Sequence, residues 1–497
     1  MKLNQFLENL TQYIVSLPRS IYLVVIAIIS AIAQFIHITK ADIWHDEGYT
    51  MMLIPQGVIE IIERTARDVH PPLYYLTAHV WQGIFGMSEV AVRSLSAVFV
   101  VATVIVAYLF MRRVFSEGTA RFAGLFVALG PFVVRYGEEA RMYAMAAFLV
   151  TLASYLMVRI ATAKKPTRTL WLLYALTIAA GLYTHYYTLF IVPVHMIYLA
   201  WQRGGIKLLI RDKDWWFSHA LGALLFLPWA PTVLAQMSRV SAGFWIPPTT
   251  LETPANTFTQ FIAFSSSYTF GWVSGALLTL CVIGVLHTYI SRHSLRKPIG
   301  LLALWLVLPL AAVILLSIVR PIYYDRYFVY CAVALYLLLA VIFTRGVWFV
   351  GRPLLQYGAI LGVCGLFIAG INSVGQQASH QMGTIGAYVS EHYQPGDALI
   401  SGELYTYFDF SYYIKTTQQL QLLSGPLSGY GETSLLYDRE EDIVVASLDD
   451  VTSERVWIIG KPGEKEYYTS KIPDSWQLVD QVEVADSAVR LYRTSVE

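Results

Sequence analysis

Charge is scarce in this chain. Asp, Glu, Lys and Arg make up only 14% of its 497 residues, where soluble globular chains carry about 25%. That deficit argues against a soluble protein. The formal net charge is +1, so no basic surface marks a nucleic-acid partner. Cysteine is also rare: Cys281, Cys331 and Cys364 each lie inside an apolar run. They form no disulfide framework and no zinc-type spacing, and read as buried, inert thiols. What fills the space is apolar and aromatic. Hydrophobic residues reach 56% and the chain holds 33 tyrosines, at a mean hydropathy of +0.52. Tyr and Trp favour membrane–water interfaces, so composition points to a polytopic membrane protein.

Apolar runs of about bilayer-crossing length, roughly 17–25 residues, occur near 20–39, 93–111, 139–158, 170–186, 188–202, 216–235, 269–290, 299–319, 327–344 and 353–372. A further run near 115–134 starts with charges but is long enough to cross, which brings the expectation to about 11 transmembrane helices. Ala31-Ile32-Ala33 has the pattern of a signal-peptidase site, yet the first run can span and many others follow, so cleavage is not expected. The shorter segment from Pro71 to Gly86 reads as a juxtamembrane or re-entrant helix. With the N-terminus placed in the cytoplasm, Arg112 and Arg113, Lys164 and Lys165, Arg203 and Lys207, and Arg296 and Lys297 fall in inner loops, as the positive-inside rule requires. The same parse puts a first loop, 40–92, and everything beyond about 375 on the outer side of the plasma membrane. Residues 1–374 are then the membrane domain. Residues 375–497 read as a small extracytoplasmic α/β domain. Gln394-Pro395-Gly396-Asp397 is a turn signal, and strand patterns follow at 398–400, 456–459 and 489–492.

The unusual polar residues gather at the outer ends of the runs. Asp46 and Glu47, in Trp44-His45-Asp46-Glu47-Gly48, follow the first run. A charge at membrane depth costs about 2.5–3.5 kcal/mol on insertion scales and tends to be kept for function; a solvated acidic loop is the plainer alternative. His70-Pro71-Pro72-Leu73-Tyr74-Tyr75 closes the acidic loop and sets His70 near a helix N-terminus, a place that favours an anion such as phosphate. A helix-starting turn with no ligand explains it equally well. Arg93 opens the next run, as an anchor or as a phosphate ligand. In Arg135-Tyr136-Gly137-Glu138-Glu139-Ala140-Arg141-Met142-Tyr143, a helix start would align Arg135, Glu139 and Tyr143 on one face. Two arginines held by two glutamates form either a phosphate clamp or a structural ion-pair network. Arg320-Pro321-Ile322-Tyr323-Tyr324-Asp325-Arg326-Tyr327 repeats the arginine–tyrosine theme. Trp245, in Gly243-Phe244-Trp245-Ile246-Pro247-Pro248, suits an aromatic belt better than a sugar platform.

Taken together, these motifs resemble bacterial members of the polytopic GT-C glycosyltransferases, related to the family 39 protein O-mannosyltransferases and to the aminoarabinose transferase of lipid A. The resemblance spans about the first 370 residues. It rests on Trp44 to Gly48, His70 to Tyr75, Arg93-Ser94-Leu95-Ser96-Ala97, Glu139 to Tyr143 and Asp325-Arg326-Tyr327. It implies a polyprenyl-phosphate monosaccharide donor, a mannose-like hexose among the candidates, and transfer outside the cytoplasm to a protein, glycan or lipid acceptor. Asp46 resembles the family's catalytic aspartate and Glu47 its acidic companion. Arg93 resembles an arginine near the active site of the protein O-mannosyltransferases. His70 stands where the lipid A relative has a phosphate-binding lysine.

The chemistry agrees with that resemblance. A sugar phosphate ester already carries a good leaving group, so transfer needs a base for the acceptor hydroxyl and cations for the departing phosphate. One carboxylate suffices for an inverting displacement. A retaining one wants two carboxylates about 5–5.5 Å apart, and neighbours such as Asp46 and Glu47 point apart in a helix or a strand. Asp46 is therefore the expected base. His70, Arg93, Arg135, Glu139, Arg141, Tyr143 and Arg326 are the expected substrate and phosphate residues. No metal site or cofactor is assigned, although a divalent ion is compatible with the mixed ligands that His45, Asp46, Glu47 and His70 offer. Two rival readings are a flippase of lipid-linked sugar and a non-catalytic scaffold. The first would spread charge to mid-span depth and favour an internal repeat, and neither is visible.

Overall fold

The computed structural model describes residues 16–240, 246–265, 267–376, 381–462, 471–484 and 487–494; Trp245 lies outside them. The chain divides into two compact units, one of residues 1–38 and 93–375, the other of residues 39–92 and 376–497.

The first unit is a helical bundle. Every apolar run of the sequence is helical: Arg19–Phe35, Glu89–Val114, the pair Glu117–Leu129 and Pro131–Gly137, Tyr143–Thr162, Arg168–Thr184, Ile191–Arg203, Lys213–Phe226, Tyr268–Ser291, Arg296–Val319, Val329–Arg345 and Pro353–Gln376. Among the described residues, seven helices are long and apolar enough to cross a membrane, or eight if the bent pair counts as one span. Length alone thus qualifies fewer crossings than the expected eleven. Arg19–Phe35 and Arg168–Thr184 have 17 residues each, which reach about 25 Å at 1.5 Å per residue. Glu117–Leu129 and Pro131–Gly137 meet at 53°. Gly130 precedes Pro131 there, and proline lacks the N–H that would continue the ladder. Val329–Phe343 is buried on every side and packs against Glu117–Leu129, Tyr143–Thr162 and Arg296–Val319. Toward the rim the helices leave Leu224, Leu234, Met237, Trp272, Leu286 and Val319 exposed. A surface this apolar is stable only against lipid, and the protein is a multi-pass membrane protein.

The second unit joins the segment after the first helix to the C-terminal part. The early segment folds as three helices, His45–Leu53, Val58–Arg67 and Leu73–Phe85. The last has 13 residues, too few to cross; it buries Tyr74, Tyr75 and Ala78 and exposes Val80, Ile84 and Phe85. The C-terminal part holds a six-stranded sheet in the order β3-β2-β1-β4-β6-β5. The strands are β1 Ala398–Ser401, β2 Gln421–Leu423, β3 Val444–Val445, β4 Arg455–Gly460, β5 Gln477–Val484 and β6 Ser487–Arg493. β1 runs parallel to β2 and β4, while β6 is antiparallel to β4 and β5. Ile400, Leu423, Val456, Ile458 and Tyr492 form its core. The turn at Gln394–Asp397 is present, with Gly396 at φ +100°. Asp397 then receives Nε of Arg455 and Nε1 of Trp457, each at 2.8 Å, tying the turn to β4.

Polar contacts join the two parts of this unit. Tyr413 Oη accepts from the Ile43 N–H at 2.7 Å and donates to Glu89 at 2.8 Å. Tyr49 Oη lies 3.1 Å from Ser434 Oγ. Buried Arg64 donates to the Ser434 carbonyl at 2.6 Å and, bidentately, to Asp438 at 2.8 and 2.6 Å. Gly48 is where the backbones come closest. A Cβ there would lie 2.3 Å from the Phe408 carbonyl oxygen and 2.8 Å from its carbon. Backbone cannot swing aside as a flexible side chain can, so the glycine of the Trp44–Gly48 motif has a packing reason. Gly48→Ala is expected to cost about 1–3 kcal/mol, the usual penalty for overpacking. A lower thermal midpoint and faster proteolysis within 39–92 would register it; an unchanged midpoint would show that Phe408 does not hold this helix.

Candidate active site

In the second unit, the helix His45–Leu53 starts after Trp44, whose backbone is extended. Asp46 and Glu47 occupy its first turn, where exposed N–H groups and the helix dipole favour negative charge. Both are buried, Asp46 at 8% and Glu47 at 1% exposure. His45 Nε2 lies 3.4 Å from Asp46 Oδ1 and 3.9 Å from Glu432 Oε1. The His45 ring is held edge-on between Trp44 and Tyr405. One ligand atom from each of His45, Asp46 and Glu432 falls within 4.8 Å of the others, a nitrogen-and-oxygen set that suits a divalent ion. Among the described residues, Glu47 and His70 do not belong to such a group. His70 precedes the helix Leu73–Phe85, and its Nδ1 lies 3.1 Å from Asp68 Oδ2.

The remaining expected residues lie in the first unit. Arg93 is 2% exposed and donates from Nη1 to the Ile38 carbonyl at 2.7 Å. The stretch from Arg135 to Tyr143 departs from the expected helix start. One helix ends at Gly137 and the next begins at Tyr143, with Glu138–Met142 irregular between them. Gly137 accounts for the close approach at this point, since a Cβ would sit 1.8 Å from Gln34 Oε1 and 2.7 Å from Val100 Cγ2. Arg135 Nη1 still meets Glu139 Oε2 at 2.9 Å. The buried Arg141 turns back, its N–H donating to the Glu139 carbonyl at 2.8 Å, and its own carbonyl accepts from Ser96 Oγ. Arg326, in the tight turn Asp325–Phe328, sets its guanidinium 4.6 Å from the Tyr324 ring centroid and 5.6 Å from that of Tyr143, within cation–π range. Tyr143 in turn packs near Tyr136, His185 and Tyr327.

Sequence reasoning missed His185 and Tyr187. His185 Nδ1 accepts from the Tyr187 N–H, and its ring lies 4.9 Å from Tyr327. The signal was a polar interruption, Thr184-His185-Tyr186-Tyr187, between two apolar runs. It reads as a simple helix boundary until Tyr143 and Tyr327 are seen around it. Glu432 was also missed, because nothing in the sequence links it to His45 almost four hundred residues earlier.

The electrostatics of the arginine-bearing region favour an anion. The Tyr136 phenol lies within electrostatic reach of Arg135, Arg326, Glu139 and Asp325, which ties these groups into one neighbourhood. Burial pushes the Glu138 carboxyl up to about 8, against the opposing pull of Arg135, Arg93 and the His37 backbone N–H. At neutral pH Glu138 is therefore largely protonated.

Comparison with known proteins agrees with this architecture. The family described as dolichyl-phosphate-mannose-protein mannosyltransferase matches residues 69–231. The fold resembles ArnT from Cupriavidus metallidurans in the apo state at a TM-score of 0.65 and 13% identity, over 95% of this chain and 98% of that one. It also resembles the same protein bound to undecaprenyl phosphate, at a TM-score of 0.62 with 13% identity and the same coverage. The Archaeoglobus fulgidus oligosaccharyltransferase in complex with Zn and sulfate aligns at a TM-score of 0.52 and 14% identity, over 88% of this chain and 67% of that one. No curated protein sequence matches. The fold is that of the GT-C glycosyltransferases.

The raised Glu138 group makes a pH prediction. Its folded value lies above the ordinary carboxylate value of 4.5, so the folded state binds the extra proton. Its contribution to stability is complete below about 4.5 and is lost as pH rises toward 8. Glu138→Gln cannot ionise. Its thermal midpoint should match wild type near pH 4.5, exceed it increasingly up to about pH 8, and keep a constant lead above that. Parallel curves across the window would refute the shift.

Proposed function

We propose that the chain is a membrane glycosyltransferase that moves a monosaccharide from a polyprenyl-phosphate carrier to an acceptor hydroxyl. The observation that carries this reading is the set of buried or half-buried guanidinium groups, Arg93, Arg135, Arg141 and Arg326, in a fold shared with a protein bound to undecaprenyl phosphate. Buried charge is retained where it has work to do, and guanidinium groups match phosphate oxygens in geometry and charge. They would hold the donor phosphate and stabilise it as it leaves, together with Glu139 and Tyr143, which hold and face the arginines. His70, steadied by Asp68, would contribute a further donor to the carrier.

Asp46 is the base in this proposal. Its carboxylate takes the proton of the acceptor hydroxyl, the oxygen attacks the anomeric carbon, and the bond to phosphate breaks on the opposite side. The lipid phosphate leaves as the anion and the configuration inverts. Glu47, its neighbour in the same helical turn, orients the acceptor or Asp46. A panel of protein, glycan and lipid hydroxyls in the transfer assay identifies the acceptor. The basic-loop distribution supports a plasma-membrane protein with a cytoplasmic N-terminus and with residues 39–92 and 376–497 outside. A flippase would move lipid-linked sugar without breaking the phosphate ester, which the same assay distinguishes.

Two tests follow. Purified protein incubated with a panel of polyprenyl-phosphate hexoses should release polyprenyl phosphate and form an inverted glycoside. Asp46→Asn should lower that rate by about 10²–10⁴-fold, the usual range for a positioned base, at an unchanged thermal midpoint. Full transfer by a folded Asp46→Asn protein would sink the assignment, as would a product of retained configuration. The second test concerns metal. A cation shared by His45, Asp46 and Glu432 would draw electron density from the Asp46 carboxylate and lower its basicity. Transfer should therefore survive chelation and decline with excess zinc. Loss of turnover on chelation, with recovery on zinc or manganese, would instead make the three residues a working metal site.

A further inference from the structure

Outside the arginine neighbourhood, the first unit contains a pocket of about 260 Å³ lined by Thr249, Thr253, Asn256, Tyr323, Tyr324 and Asp325, among others. It is smaller than the 300–1,000 Å³ of sites for drug-sized ligands, a size suited to a single sugar ring and not to an oligosaccharide. Its lining combines hydroxyls, a side-chain amide, a carboxylate and aromatic faces. That mixture matches a polyol, whose hydroxyls need both donors and acceptors and whose ring carbons lie against aromatic faces.

The pocket walls are fixed in place. Thr257 Oγ1 meets Tyr323 Oη at 2.6 Å in a buried hydrogen bond, and the Tyr323 ring stacks on Phe328 at 5.1 Å. Asp325 Oδ1 accepts from the Arg326 N–H at 2.8 Å, which orients its carboxylate. Thr253 Oγ1 accepts from the Thr250 N–H at 2.9 Å, which ties the start of the helix that supplies Asn256 to the residues before it.

Tyr324 connects this pocket to the proposed phosphate site. It lines the cavity and lies under the Arg326 guanidinium at 4.6 Å. A phosphate held by Arg326 would bring its esterified sugar against that ring. The Arg326 guanidinium, 4.6 Å from the centroid of the Tyr324 ring that lines the pocket, also sets a positive charge beside it, which disfavours a cationic sugar. We infer that this pocket is the donor-sugar subsite, with Asp325 and Asn256 reading the hydroxyls of a neutral hexose. The inference rests on the glycosyltransferase reading above and adds the sugar class and its recognition residues.

Binding to the purified full-length protein tests it, with undecaprenyl phosphate, its neutral hexose ester and its amino-pentose ester as probes. Wild type should bind the hexose ester more tightly than bare undecaprenyl phosphate, and the amino-pentose ester no more tightly than the bare lipid. Asp325→Asn should weaken the hexose ester about tenfold, the usual scale for one charged hydrogen bond, and bind bare undecaprenyl phosphate no more weakly than wild type. Asn256→Ala, at an exposed helical position, should act in the same direction without disturbing the fold. Hexose-ester binding at wild-type strength in both folded variants would overturn the inference while the glycosyltransferase reading stands. Tightest binding of the amino-pentose ester would overturn the choice of a neutral sugar. Failure of wild type to bind any of the three lipids would overturn both.

Discussion

Charge buried in an apolar bundle has to be balanced close at hand, because neither lipid nor tightly packed helix supplies solvation. In the first unit that balance is struck at a break in helical structure. Between Gly137 and Tyr143 the backbone leaves its hydrogen-bond ladder, and Glu138, Glu139 and Arg141 enter from the irregular stretch. Arg135 closes onto Glu139 across the break, while Arg141 is fastened by its own backbone to Glu139 and Ser96. A continuous helix would have kept Arg135 and Glu139 on one face but turned Arg141, two residues beyond Glu139, to the opposite one. Gly137, the last helical residue before the break, leaves no space for a Cβ against Gln34 and Val100.

Glu138 takes little share in that balance near neutral pH. A carboxyl that ionised freely at Glu138 would neutralise Arg93 and Arg135, which lie within its reach. Burial withholds that ionisation near neutral pH. Arg326 is treated differently: its partners are tyrosine faces as well as the Asp325 turn. Aromatic faces attract a cation without cancelling its formal charge.

Much of this arrangement was legible in the sequence, and the limits of that legibility have physical causes. Hydrophobic run length is a local property, so each apolar run could be placed and each proved helical. Three of the strands were visible because β1, β4 and β6 are buried and read as apolar. β2 and β3 were too short to show a pattern, with three and two residues. β5, Gln477–Val484, is an edge strand whose largely exposed residues carry mixed polarity. The irregular stretch after Gly137 was hidden because Arg135, Glu139 and Tyr143 satisfy helical spacing whether or not a helix joins them. Partners far apart in sequence, such as Arg64 with Asp438, leave no trace at either position alone.

The association of residues 39–92 with the C-terminal part changes what the C-terminal part is for. Read from composition, it is a separate module with no visible chemistry. In the structure, Phe408 packs its backbone on Gly48, Ser434 meets Tyr49, and Glu432 reaches His45. These contacts fall on the same short helix that carries Asp46 and Glu47 and on its immediate residues. A nine-residue helix has little stability of its own, and two buried acids in its first turn add a desolvation cost. The C-terminal part supplies the packing that such a helix cannot generate. Its role is then positional: residues with no reactive group of their own, Phe408 above all, fix where the acidic pair is held, and the chemistry proposed for Asp46 would depend on that packing.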